Sequence, residues 1–199
     1  LNLEKIKLLN KNSIKLLARK FYLDTFLYDQ NACTSPHLIF WIGKSKNIKK
    51  SKDIFWTEIH NYIKNKYTMD SVISVDKLTS YYKQLIDMEN LSKISTEDNL
   101  IWRIELNSLN KHIENYRCTS GYFNEYNLKS LDEISYIINK KYQTFSYYGI
   151  DKKTLRSFIE KNKPMGIDRI VPIGKTSEFS LNWDGYDLIS TLSRSIQII

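Results

Sequence analysis

Cysteine, histidine, glycine and proline are all scarce in this 199-residue chain, and each shortage removes a class of function. Two cysteines, Cys33 and Cys118, are too few for a disulfide framework, and no Cys-x-x-Cys pair is present. The three histidines, His37, His60 and His112, are scattered, so no metal site is expected. A cytoplasmic chain with free thiols is the default reading. Six glycines form no Gly-rich phosphate loop, and three prolines mark no linker. No stretch approaches the roughly 18 apolar residues of a membrane span. The longest apolar run, Leu38-Ile39-Phe40-Trp41-Ile42, is strand-length. No cationic segment precedes an apolar run at the start, so no signal peptide is visible. The chain opens Leu1-Asn2-Leu3-Glu4 without an initiator Met and reads as a piece of a longer protein.

What remains is globular in character: 42% apolar, 26% charged and 13% aromatic residues, enough for one large domain or two small ones. Net charge is +8, from 30 basic and 22 acidic residues. The densest basic run, Lys44 to Lys52, sits between a strand and a helix, where a solvated loop belongs. Few of the basic residues are Arg, the side chain that reads bases bidentately. Nor do the Trp and Tyr residues form a stacking ladder with Arg, so nucleic acid is not expected as a partner.

Apolar spacing predicts a helix over 13–28, with Ile14, Leu17, Ala18 and Phe21 on one face and Asn12 or Ser13 as its cap. The strand 38–42 follows Pro36 and closes at Gly43. Helices are expected from Ser51 or Asp53 to about Lys66 and over 75–88. Strands are expected over 100–106 and 116–128. Ser130-Leu-Asp-Glu133 has capping-box form and opens a helix to Asn139. A strand over 143–148, a helix capped by Asp151, a strand over 167–173 and a short helix over 184–194 complete the chain. Strands alternating with helices imply crossover connections and an α/β fold with a mostly parallel sheet.

The most informative stretch is Gln30-Asn31-Ala32-Cys33-Thr34-Ser35-Pro36, which places a thiol on a polar turn between a helix and a buried strand. Turn N–H groups can stabilise a thiolate, or the oxyanion formed when a carbonyl is attacked. Small neighbours leave room for a substrate. The competing reading is a packed small hydrophobe, the commoner fate of a free Cys. His37, four residues on, is a possible partner for the thiol. His60 sits within a helix and His112 in a loop with Lys111 and Glu114. Cys118 reads as a packed thiol on a strand. Asp184 is a candidate cap for the last helix, with Trp183 packed beneath it.

The segment Gln-x-x-Cys followed by small residues and a strand resembles the nucleophile segment of the aldehyde dehydrogenase superfamily. Ser130-Leu-Asp-Glu-Ile, Tyr142 to Gly149 and the helix from Asp151 follow the order of that superfamily's catalytic domain. Gly166-Ile-Asp168-Arg169-Ile-Val-Pro172-Ile-Gly174 and Trp183-Asp184-Gly185-Tyr186-Asp187-Leu188-Ile189 look like the closing signature of acyl-CoA reductases, in particular the long-chain fatty-acyl reductases of bacterial bioluminescence operons. The resemblance runs from about residue 10 to 195.

The resemblance implies an aldehyde-dehydrogenase-like catalytic domain with a mostly parallel sheet flanked by helices. It places Cys33 at the nucleophile position. There it would take the acyl group of a long-chain acyl-CoA or acyl-protein as a thioester, which hydride from NADPH reduces to an aldehyde for luciferase. Trp183, Asp184 and Gly185 would line the acyl tunnel or the mouth of the site. The implied partners are the acyl-protein synthetase and acyltransferase subunits of a fatty acid reductase complex, in an oligomer. Residues 1–199 would be the C-terminal catalytic part, with the cofactor-binding half ahead of Leu1. The superfamily's nicotinamide-ribose Glu would fall near Arg117 or Cys118, where no Glu stands. Two rivals remain: an aldehyde dehydrogenase oxidising aldehyde to acid, and a non-enzymatic binding fragment.

Overall fold

The N-terminal 24 residues build two helices, α1 (Leu3–Lys7) and α2 (Lys11–Asp24). Asn2 caps the first and Asn10 the second, where its side chain accepts the Ser13 N–H at 2.9 Å. The expected helix to Tyr28 therefore starts earlier and stops four residues sooner. Thr25 leaves helical geometry, its hydroxyl donating to Phe21 O at 2.6 Å, and one 3₁₀ turn follows over Phe26–Tyr28. The computed structural model describes residues 1–43, 48–89 and 91–198.

Next come β1 (Leu38–Ile42), α3 (Ile48–Ile63), α4 (Ser71–Asp87), β2 (Ser92–Ser95), β3 (Trp102–Glu105) and β4 (Tyr122–Leu128). They form one sheet in the order β1-β4-β3-β2. The β1/β4 and β3/β4 pairs are parallel, and only β2 runs antiparallel to its neighbour. A second sheet pairs β5 (Thr144–Tyr147) with β6 (Arg169–Pro172) in parallel, joined by α5 (Lys152–Asn162). The expected crossover between 143 and 173 is thus present. The chain closes with the hairpin β7 (Asn182–Trp183) and β8 (Tyr186–Asp187) and the short α6 (Leu188–Leu192).

Three expectations are corrected here. The capping box at Ser130 and Glu133 forms, but it opens only a 3₁₀ turn, Leu131–Ile134. Leu131, Ile134 and Ile137 are all buried, and a repeat of three residues suits a 3₁₀ turn better than an α-helix. The stretch from Tyr116 to Gly121 is loop, so Cys118 is not on a strand. Asp187, not Asp184, caps the last helix, accepting the Ile189 N–H at 3.1 Å. Of the basic run, Lys44 to Asn47 lie outside the described residues. Lys49 to Lys52 belong to α3, and Lys52 is buried. The run is therefore no continuous solvated face.

Two apolar cores cover opposite faces of the first sheet. One packs α1, α2 and α3 through edge-to-face aromatics; Phe21 meets Phe55 with ring centroids 5.2 Å apart. The other collects Ile104, Tyr122, Leu131, Ile134, Leu155 and Phe158. At the heart of the sheet Glu125 of β4 is fully buried. It accepts from Arg103 Nε of β3 (2.5 Å), Trp41 Nε1 of β1 (3.0 Å) and, as an ion pair, Lys52 Nζ of α3 (3.2 Å). Lys52 also reaches Glu105 at 3.0 Å. Removing the carboxylate charge takes the buried counter-ion from Arg103 and leaves Lys52 with Glu105 alone. Glu125→Gln is expected to destabilise the protein by about 3–5 kcal/mol in urea unfolding. A loss below about 1 kcal/mol would contradict this role.

Candidate active site

Between the 3₁₀ turn and β1 the chain reverses through two left-handed residues, Asp29 (φ 52°) and Gln30 (φ 59°). Non-glycine residues take this conformation when their surroundings hold them there. Tyr67 donates its hydroxyl to Asp29 at 2.8 Å, and Ser120 N–H donates to Asp29 O at 2.9 Å. Gln30 is completely buried, and both ends of its amide are used. Nε2 donates to Pro36 O (2.8 Å) and Tyr122 O (3.0 Å). Oε1 accepts from Gly121 N–H (2.9 Å) and Tyr122 N–H (3.2 Å). Gly121 sits at φ 91°, and a Cβ there would lie 2.1 Å from Leu100 O, so only glycine brings the start of β4 this close. Gln30 thus closes the loop 31–36 across its own base and pins it to β4.

Cys33 stands exposed on that loop. Ser35 N–H donates to Ala32 O at 2.9 Å, folding Ala32–Ser35 into a turn. Among the described residues, the backbone N–H groups of Cys33 and Thr34 have no acceptor. Two free donors beside a thiol are what an oxyanion needs. The thiol borders a cavity of about 140 Å³ that opens to solvent.

His37 also lines the cavity, but its Nδ1 is engaged with Cys118 O at 3.1 Å. Burial, with the Arg117 cation alongside, pushes its pKa down to about 4, so the ring is neutral at pH 7. Its partner is a backbone carbonyl rather than Cys33. The reading of Cys118 as a packed thiol agrees with its half-buried place against the second core, away from the cavity lining. His60 pairs with Asp98 at 2.6 Å, and His112 lies at the surface beside Glu114, outside the cavity lining.

Glu114 and Arg117 both line the Cys33 cavity, whereas the sequence reading named Glu114 only as a neighbour of His112 and Arg117 only as a position where the ribose-binding Glu is missing. Glu114 lies in a further 3₁₀ turn, Ile113–Asn115, its side chain 10% exposed, with Lys141 Nζ at 3.4 Å and Asn139 Nδ2 at 3.2 Å. Beside it, burial and the Glu114 charge raise the pKa of the Tyr142 hydroxyl. Glu114 lies 81 positions from Cys33, and no local pattern joins them.

Trp183 ends β7, Asp184 and Gly185 form the turn of the β7–β8 hairpin, and none of the three lines the Cys33 cavity. Trp183 is covered by the Arg169 guanidinium, 4.3 Å from its ring centroid. Arg169 in turn donates to the carbonyls of Thr176 and Glu178. The preceding loop is tied to α2 by the buried Asp24, which accepts from Gly174 N–H (2.6 Å) and Thr176 N–H (3.1 Å).

No group of three or more His, Cys, Asp and Glu suited to a metal occurs among the described residues, and no described helix is long and apolar enough to cross a membrane. A dinucleotide cradle would need glycine backbone open to a pyrophosphate. All six glycines instead face this chain's own atoms at under 3 Å from a built Cβ, Gly43 against Leu3 and Gly149 against Lys5 for example. The described residues therefore do not fit a bound dinucleotide by themselves.

Gln30→Ala orphans buried backbone groups at about 1–3 kcal/mol each, so a loss of about 3 kcal/mol or more is expected in urea unfolding. Cys33→Ala, at an exposed position, should change stability by less than about 0.5 kcal/mol. Equal effects would contradict the division between staple and functional group. His37 titrates near 6.5 when unfolded and near 4 when folded. Between those values the unfolded chain binds a proton that the folded one refuses. Its contribution is whole above about pH 6.5 and falls as the pH drops towards 4. His37→Gln should flatten that part of the stability–pH curve, and an unchanged slope between about pH 7 and pH 4.5 would contradict it.

Among solved structures, a succinic semialdehyde dehydrogenase from Streptococcus pyogenes, in complex with NADP⁺ as the cofactor, superposes with a TM-score of 0.53 at 12% identity. The match covers 82% of this chain and 38% of that one, so the chain spans well under half of its neighbour's length. At this identity the likeness establishes the fold: an aldehyde-dehydrogenase-like α/β arrangement. Comparison with curated proteins finds no match. The family model described as acyl-CoA reductase (LuxC) matches residues 10–195, from the first turns of α2 past the end of α6 and including the Cys33 loop. The chain belongs to the acyl-CoA reductase (LuxC) family.

Proposed function

We propose that these residues are the C-terminal catalytic part of a longer cytoplasmic reductase that converts a long-chain acyl thioester, acyl-CoA or acyl-protein, to a fatty aldehyde for bioluminescence. Cys33 is its acylated nucleophile. The observation that carries this reading is the exposed Cys33 on a stapled turn with two unengaged N–H donors. Family membership and the superfamily fold support it.

In the proposed step the Cys33 thiolate attacks the thioester carbonyl. An Sγ–C bond forms, charge moves to the carbonyl oxygen, and the N–H groups of Cys33 and Thr34 receive it. Collapse breaks the bond to the donor sulfur, which leaves as a thiolate and is protonated by water. The acyl group stays on Cys33 as a thioester, still electrophilic enough to accept hydride. The hydride donor, NADPH by family resemblance, is assigned to polypeptide outside these residues. The acyl-protein synthetase and acyltransferase partners belong to the same proposal.

Variants of the longer protein test it. Cys33→Ala should abolish both acylation and aldehyde formation. Cys33→Ser should retain at most slow acylation, because its hydroxyl is far harder to ionise than a thiol of pKa about 8.5. Cys118→Ala should stay within a few-fold of wild type. Normal aldehyde production by Cys33→Ala overturns the mechanism, and production of acid from aldehyde instead identifies a dehydrogenase.

A further inference from the structure

Leu1 and Asn2 bond to two different sheets. The Leu1 nitrogen donates to Phe40 O at 2.7 Å, and Leu1 O accepts the Ile42 N–H at 2.9 Å. These two bonds bracket Trp41 as a parallel ladder does, and Asn2 forms a parallel bridge with Ile42. The next donor points the other way: Asn2 N–H donates to Tyr148 O, just past β5, at 3.0 Å. Successive residues of a strand present their polar groups to opposite sides, and a residue pair uses both sides only when neighbours lie on both edges. Leu1–Asn2 therefore has the geometry of the end of an interior strand, set between β1 and β5.

The edges beyond it have the matching parity. Asn124 N–H donates to His37 O, so His37, Ile39 and Trp41 bond to β4 and the groups of Leu38 and Phe40 turn away from it. On β5, Gln143 O and Tyr147 O accept from the β6 side, which turns Thr144 and Ser146 towards β1. Leu1, Leu38, Phe40, Thr144 and Ser146 all line the cavity that Cys33 borders. The Leu1 nitrogen is itself enclosed. Burial holds the pKa of an amine there down to about 5, whereas a peptide N–H makes the same bond with no charge to desolvate.

We propose that the gap between β1 and β5 is filled by a β-strand of the polypeptide directly preceding Leu1, parallel to both. It joins the two sheets into one, in the order β2-β3-β4-β1-strand-β5-β6. This rests on the reading that the protein continues before Leu1. The inner end of the cavity is then sheet core, not an acyl tunnel. Leu1 lies opposite Trp41, so residues roughly four positions earlier pass beside His37 and bring the preceding polypeptide to the Cys33 end of the cavity.

Amide hydrogen exchange tests the proposal. The exchange of Phe40, Ser146 and Tyr148 N–H is measured in residues 1–199 and in the chain carrying its natural preceding residues. On the order of 100-fold slower exchange at all three in the longer chain is expected, with Ile39 changing far less. Equal rates in the two chains overturn the proposal. Slow exchange in residues 1–199 that grows with concentration also overturns it, because a strand of a second copy then fills the gap. A reading frame that begins at Leu1 removes the underlying reading before any exchange is measured. Acylation of Cys33 is scored separately and is independent of all three results.

Discussion

The side-chain amide of Gln30 is the constraint on which the candidate site depends. Two backbone carbonyls and two backbone N–H groups converge on it inside the protein, so both of its ends are satisfied. Without those bonds Gln30 loses the side-chain contacts that hold its left-handed geometry, and the loop carrying Cys33 loses its side-chain attachment to β4. The staple does not use the N–H groups at the tip of the turn. Gln30 binds the base of the loop, and the N–H groups at Cys33 and Thr34 stay free. That division gives an exposed thiol a fixed position without using up the donors a reacting carbonyl would need.

Polar groups perform the same service elsewhere in the fold. Glu125 gathers β1, β3, β4 and α3 around one buried carboxylate, and Asp24 fastens the loop after β6 to α2 across some 150 residues of chain. Each joins elements that apolar packing alone would leave free to slide. The two apolar cores supply most of the burial, and these few polar contacts set the register in which the sheet and its helices meet.

Much of the architecture was legible in the sequence because it is written locally. The run Leu38–Ile42, the Asp151 cap and the strand–helix–strand unit from 143 to 173 carry their own periodicity and end signals. β2 was not legible: Ser92–Ser95 is exposed along its length and shows no alternation, since an edge strand held by its neighbour needs none. The Ser130 capping box was read correctly as a start, but the three-residue apolar spacing after it specifies a 3₁₀ turn. Cys33 was singled out as a candidate through its small neighbours and family resemblance. Glu114 and Arg117 were not, because only the meeting of distant loops brings them to the same cavity. For Trp183–Gly185 the sequence left a packing role and a site-lining role open; Trp183 packs against Arg169, and none of the three borders the Cys33 cavity.

In the proposed mechanism Cys33, and not Cys118, carries the acyl group. Peptide mass mapping of the longer protein after incubation with a long-chain acyl-CoA, without reductant, tests it most directly. A hydroxylamine-sensitive acyl adduct is expected on the peptide containing Cys33 and none on the peptide containing Cys118. An adduct on Cys118, or an unmodified Cys33 in protein that has demonstrably released CoA, would contradict it.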